Sequence, residues 1–228
     1  NQEPTITVRN SSQVPLAEWG RSHYVANVGQ DEPWGYPGLT DAGWKRIATG
    51  PFYRNSRVRI ADVLDGTHTT VFLGEHTTIS DKTWVGVHPF AEVCPIDPSR
   101  FPFTDCDGAP TLIFCHSGPA AAEPGLIHPP SFPPCHVCQM YTPWQGGHVL
   151  FGDGHVQFIP TSIHLDTWAA LSTIRGGEAI LDFDEDGETP IRRTYWLLAI
   201  LVLLAFVSAY LWWPSWKTFP EVSSRESL

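Results

Sequence analysis

A β-rich α+β domain followed by a single C-terminal transmembrane helix is predicted by three observations. Two apolar-rich arms, within His148 to Ile159, flank Gly152-Asp153-Gly154, and such glycines accept the positive φ of tight hairpin turns. No long amphipathic helical pattern precedes Tyr195. Tyr195 to Trp213 is then uninterrupted by charge, Pro or Gly. At ~1.5 Å rise per residue its roughly 19 residues span about 28 Å, close to a hydrocarbon core of ~30 Å. Tyr195 and Trp196 mark one end of the run and Trp212, Trp213 and Trp216 the other, where amphipathic rings favour the headgroup level.

The elements follow in chain order. The first fifty residues read as irregular, with Gly, Pro and Trp recurring through Asp31 to Gly38. Arg57 to Ile60 and Thr69 to Leu73 read as short strands separated by the turn signal Asp65-Gly66, and Thr83 to Val87 as a third. The segment 88–145 is Pro-rich, carries every cysteine and reads as a long loop region, with one strand at Thr111 to Cys115. After the hairpin, Asp166 to Ile174 reads as a short helix capped by Asp166 and ended by Gly176-Gly177. A last strand is expected at Ala179 to Phe183. The resulting organisation is a domain over 1–181, an acidic linker over 182–194, the membrane helix over 195–213 and a short tail over 214–228.

The formal net charge of -10, with no Lys/Arg cluster, argues against a nucleic-acid groove or a polybasic lipid-binding surface. Abundant Trp and Pro with scarce Lys point to a rigid, loop-rich globule rather than a disordered chain. Arg192 and Arg193 before the apolar run nearly balance Lys217 and Arg225 after it, so flanking charge does not orient the helix. A start at Asn1 rather than Met is compatible with a removed secretory leader.

Four segments, in order, resemble a known family. They are Ser22-His-Tyr-Val-Ala-Asn-Val-Gly29; Gly50-Pro-Phe-Tyr-Arg-Asn-Ser-Arg-Val-Arg-Ile60 running into Asp65-Gly-Thr-His-Thr-Thr-Val-Phe-Leu-Gly-Glu75; Gly146-Gly-His-Val-Leu-Phe-Gly-Asp-Gly-His-Val-Gln-Phe158; and Trp168-Ala-Ala-Leu-Ser-Thr-Ile-Arg-Gly-Gly-Glu178. Together they resemble the prepilin-like secreted family of planctomycetes and related bacteria, marked by a His-x9-Asp-Gly signature and of unknown function. The resemblance implies an extracytoplasmic domain on a pseudopilin-like antiparallel sheet; with the apolar run Tyr195 to Trp213 as anchor, the expectation is a single-pass protein of the bacterial cell membrane with its bulk in the periplasm. Two departures stand out. The signature His position holds Pro143, and the family's N-terminal pilin helix is not among these residues. A fixed, laterally associating membrane protein is therefore expected rather than a pilus-like polymer.

Three kinds of site chemistry are open. Cys115, His116, His128, Cys135, His136 and Cys138 form a Cys/His cluster that supplies Zn²⁺-type ligands, but the second Cys-x2-Cys pair of a zinc ribbon is missing. In a periplasmic domain disulfides are the simpler reading, two bridges among Cys94, Cys106, Cys115, Cys135 and Cys138 with one thiol left over. Gln139 stands where covalent haem attachment needs histidine. Asp182, Asp184 and Asp186 followed by Gly187 match the first half of a calcium loop, yet Pro190 and Arg193 occupy its ninth and twelfth positions, and a solvated acidic linker is the simpler account. Asp65, His68 and Glu75 form one conceivable acid–base group and Asp153 with His155 another, although turn and strand chemistry already explains those residues. No nucleophile elbow or phosphate-cradling glycine loop is present. The apolar run holds no His, Cys, Met or charge to ligate a pigment or haem.

The sequence thus predicts a non-catalytic, cofactor-free accessory subunit, anchored in the bilayer and docking on other integral membrane subunits of a secretory, respiratory or photosynthetic complex. The segments 31–43 and 88–145 are its expected docking surfaces, and nucleic acid is no expected partner. The alternatives are a pseudopilin-like surface or secretion component and a metal- or redox-handling periplasmic domain.

Overall fold

A computed structural model describes residues 3–31, 48–101, 106–120 and 125–178, all within one compact unit, Asn1–Glu188. The described fold is β-rich, with two sheets and one short α-helix rather than the single sheet expected.

The first sheet comprises β1 (Thr5–Arg9), β2 (Pro15–Gly20), β5 (Glu92–Val93) and β6 (Asp107–Gly108), in the order β2-β1-β5-β6. It overturns the irregular reading of the N-terminal segment. Ile6 and Val8 alternate with more exposed residues and enter a core with Ala91, Val93, Leu112 and Val137, the period-2 pattern of a half-buried strand. Asn10 makes the intervening turn, its Oδ1 accepting the Ser12 and Val14 amides at 3.1 and 2.9 Å.

The second sheet holds β3 (Tyr24–Asn27), β4 (Val71–Glu75), β7 (Phe114–Cys115), β8 (Gly146–Phe151) and β9 (Val156–Pro160), ordered β7-β3-β4-β8-β9. It is antiparallel except for the parallel β3–β7 pair. The expected β8–β9 hairpin forms, with Gly154 at φ +95° in its turn. Gly152 matters for a different reason: a Cβ there would come within 2.7 Å of the Phe72 ring. The helix α1 (Leu165–Leu171) packs Trp168 and Leu171 against Val25, Val71, Val149, Phe151 and Ile159.

Several local expectations are corrected. Arg57 to Ile60 is not a strand: Ile60 is exposed and begins a 3-10 turn, Ile60–Asp62, which the Arg59–Asp62 pair closes at 2.8 Å. Thr83 to Val87 is a loop with Trp84, Val85 and Val87 exposed. Only Phe114–Cys115 of the strand expected at Thr111 to Cys115 is extended, since Pro110 opens a 3-10 turn, Ala109–Leu112. α1 stops at Leu171 because the Ile174 amide is drawn to the Thr49 carbonyl and the Ile174 carbonyl accepts from Leu64. Asp166 lies in the first turn rather than at the cap, which is His164. The described residues of 88–145 hold only short elements, β5, β6, the 3-10 turn and β7, and Val137 to Thr142 is buried core rather than exposed loop.

A Cys94–Cys106 disulfide bridges the neighbourhoods of β5 and β6, while Cys115, Cys135 and Cys138 stand outside any disulfide, so one bridge replaces the two expected. The three thiols have different surroundings. Cys115 joins the apolar core and Cys135 packs against Ile79, Phe101 and Tyr141, whereas Cys138 meets histidines. Among the described residues no helix is long and apolar enough to cross a membrane. Most of the segment expected at 31–43, the strand at Ala179 to Phe183, the linker, the run Tyr195 to Trp213 and the tail lie outside the described residues.

Candidate metal centre

The centre is built where β7 ends. Pairing of β7 with β3 sends Cys115 into the apolar core, its Sγ 3.6 Å from the Ala26 carbonyl, and burial pushes its thiol up to about 12. The next residue, His116, enters a polar interior. Its amide donates to the Cys138 carbonyl at 3.1 Å, which sets the two chains side by side.

Gln139 shapes the opposite wall. Its Nε2 donates to the Pro129 and Phe132 carbonyls at 2.6 and 3.0 Å, and its Oε1 accepts the His136 amide at 3.0 Å. Gln139, at the position where a haem-attachment motif would have histidine, is thus the clamp that folds His136-Val137-Cys138 inward. His128 is fixed from both sides, its amide donating to the Ser117 carbonyl at 2.7 Å and its carbonyl accepting from Trp168 Nε1 at 2.7 Å.

These supports bring His116 Nε2 to 2.9 Å and His136 Nδ1 to 2.5 Å from Cys138 Sγ. The three donor atoms lie within 4.8 Å of one another. The His128 ring stands 5.5 Å from that of His116 and 5.6 Å from that of His136, centroid to centroid. An Asp107 oxygen lies 3.6 Å from His136 Nδ1. Of the six residues in the sequence-predicted cluster, the fold assembles His116, His136 and Cys138, keeps His128 beside them, and diverts Cys115 and Cys135. Burial pushes the Cys135 thiol up as well.

Two ionisable groups beneath the centre carry no sequence signal. Lys82 is fully buried and donates to the Thr111 and Val137 carbonyls, both at 2.6 Å. Burial pulls its ammonium down to about 8, against the opposing pull of Cys138, Cys115 and Asp107. His76 is likewise buried, with Nδ1 2.8 Å from the Gln139 carbonyl and Nε2 3.1 Å from Ser80 Oγ. A carbonyl only accepts, so Nδ1 carries the proton. Burial, then the Lys82 charge, holds its pKa well below the ordinary value.

His76 gives the domain an acid sensitivity of defined sign. Below about pH 6.5 an unfolded imidazole takes up a proton that the folded one refuses. The unfolded state binds more protons in that window, so stability is full above it and falls as the pH drops toward the folded pKa. Urea titrations at several pH values between neutral and mildly acidic should show this slope, and His76→Gln should flatten it. Equal slopes in the two proteins refute the assignment.

The other candidate groups are rearranged. Asp65 leaves the predicted acid–base set to accept from Thr173 Oγ1, the Gly176 amide and the Gly177 amide at 2.8, 2.7 and 2.9 Å. Glu75 accepts the His148 amide at 2.8 Å. His68 instead meets Asp153 and His155 at the hairpin tip, with Asp153 oxygens 3.0 Å from His68 Nδ1 and 2.6 Å from His155 Nδ1. The His155 amide, then the two imidazoles, hold the Asp153 carboxyl well below its usual range. This second cluster is largely exposed, and its hydrogen bonds serve the turn. The calcium candidates Asp182, Asp184 and Asp186 lie outside the described residues.

A family model described as a protein of unknown function (DUF1559) matches residues 11–166, spanning the first three of the four motif segments quoted above. No curated protein and no solved structure matches the chain.

Proposed function

The chain belongs to the DUF1559 family, and from that premise we propose that it is a membrane-anchored, extracytoplasmic accessory subunit. It docks its β-rich domain on a larger bacterial membrane complex and performs no catalysis itself. The observation that carries this reading is the run Tyr195 to Trp213, long enough to span a bilayer and free of charge, Pro and Gly. The Cys94–Cys106 disulfide supports an oxidising compartment for the domain.

Docking is favoured by apolar side chains left on the surface of one stretch. Trp84, Val85, Val87, Phe90 and Ile96 are exposed, with Phe90 at 73%. Aromatic side chains set among polar neighbours are the usual anchors of protein interfaces. The partners are other integral membrane subunits, which the helix packs against within the bilayer.

The test is extraction of native membranes in mild detergent, affinity capture through the chain, and mass spectrometry with an absorption spectrum. A reproducible, stoichiometric set of membrane subunits is expected, diminished by Phe90→Asp and Trp84→Asp in chains that remain folded. Recovery of the chain alone, or with copies of itself only, sinks the accessory reading and favours a self-associating surface protein.

A further inference from the structure

We propose that His116, His136 and Cys138, completed by His128, form a buried site for one transition-metal ion of the zinc class. The inference rests on the interior of the domain and is independent of its docking role.

The donor set comes first. One thiolate and three imidazoles suit a borderline-soft cation in tetrahedral coordination. Neutral imidazole offers one acceptor lone pair per ring, and a single cation engages all of these together with the sulfur. His116, His128 and Cys138 are buried to within 1% of full burial, so the ion would sit in a dry, closed pocket as structural zinc does.

Geometry comes second. With Zn–N at ~2.0–2.1 Å and tetrahedral angles, three imidazoles on one ion have ring centroids about 5 Å apart. The three rings here lie 5.5, 5.6 and 6.4 Å apart. Nitrogen and sulfur on such an ion stand about 3.5 Å apart. The present 2.9 and 2.5 Å separations from Cys138 Sγ need an outward shift of about 1 Å or less to admit it.

The partition of cysteines is the third argument. Cys94 and Cys106 are bridged, and Cys115 and Cys135 lie among apolar side chains. Cys138 alone of the five is set among histidines, and Gln139 spends its whole amide holding that loop in place. Binding replaces the Cys138 S–H bond with an S–metal bond and releases the proton to solvent. Asp107 and the thiolate supply negative charge toward the dication, and Lys82 limits the excess.

The exposed group His68, Asp153 and His155 also presents three ligand atoms within 4.8 Å, so the test must separate the two clusters. The full chain in detergent, its disulfide intact, is loaded with Zn²⁺ and separately with Co²⁺, and bound metal is counted per chain. One tightly held Zn²⁺ is expected, and the Co²⁺ form should carry thiolate-to-cobalt charge-transfer absorption. Cys138→Ser and His116→Gln should each weaken Zn²⁺ by more than about 100-fold, beyond the ~10–100-fold typical of outer-shell changes. Cys135→Ser and His68→Gln should retain it. The cobalt spectrum of the unmutated chain keeps the proposal falsifiable even if a variant misfolds. Absence of tight metal, cobalt bound without thiolate absorption, or loss of zinc with His68→Gln rather than Cys138→Ser each overturns it.

Discussion

Trp168→Ala should lower the stability of the domain by about 3–5 kcal/mol, the range for removing a large buried aromatic side chain. Trp168 is 1% exposed and joins α1 to residues from four strands, among them Val25, Val71, Val149 and Ile159. Its truncation leaves a cavity that the two-sheet frame cannot easily close. The indole also donates to the His128 carbonyl, so Trp168→Phe separates packing from hydrogen bonding. The Phe variant keeps most of the apolar contact and should lose about 1–3 kcal/mol, the cost of an unsatisfied buried acceptor. It should also weaken zinc, because the support of the His128 segment is gone. In urea, both variants should shift the midpoint with little change in slope. A loss below about 1 kcal/mol for Trp168→Ala would mean that the helix does not cover this core.

What could be read from the sequence depended on whether the deciding contacts were local. The β8–β9 hairpin was legible because apolar arms and the Gly152-Asp153-Gly154 turn lie side by side in the chain. The β1–β2 pair was missed although Ile6 and Val8 show the right alternation, since Pro15 and the exposed pattern of β2 mask its other arm. Two-residue strands such as β5, β6 and β7 have no pattern of their own and exist only through their partners. The same logic governs the centre. Residue types and spacing nominated six ligands, but which thiols face inward is decided by tertiary packing. β7 takes Cys115 to the core, Phe101 and Tyr141 take Cys135, and Gln139 turns Cys138 toward His116. Lys82 and His76 were invisible because nothing local distinguishes a buried ionisable side chain from a surface one.

The family-resembling segments acquire a common physical role once folded. Gly29, at φ +106°, and Gly50 lie where two chain segments cross so closely that a Cβ on Gly50 would stand 2.4 Å from the Gly29 nitrogen. Asp65, in the same segment as Gly50, ties down Thr173, Gly176 and Gly177 of the last segment, just beyond the helix. These residues form joints between elements and leave the catalytic reading of Asp65 without a free carboxylate. The His116–Cys138 centre draws on the other part of the chain, between Ala109 and Tyr141, outside all four segments.

Asn27 is the joint whose loss should be felt most. It is 1% exposed at the end of β3, where its Nδ2 donates to the Val71 carbonyl of β4 at 2.8 Å and to the Ser172 carbonyl at 2.9 Å. Its Oδ1 accepts the Gly29 amide at 2.8 Å. One side chain therefore ties a strand, the end of α1 and the crossing at Gly29. Asn27→Ala abandons three buried polar groups, each costing about 1–3 kcal/mol, so a total of at least about 3 kcal/mol is expected. Asn27→Asp is a sharper probe, because it keeps the Oδ1 acceptor but points a carboxylate at two carbonyl oxygens. Burial and those oxygens raise the folded-state pKa of such a group above its unfolded value. Its stability contribution is then present at low pH and lost as the pH rises through the folded pKa. The Asp variant should accordingly recover stability, relative to the parent chain, as the solution is acidified from neutral. No such recovery, or an Ala variant within about 1 kcal/mol of the parent, would show that Val71, Ser172 and Gly29 find other partners and that the three elements are not locked through Asn27.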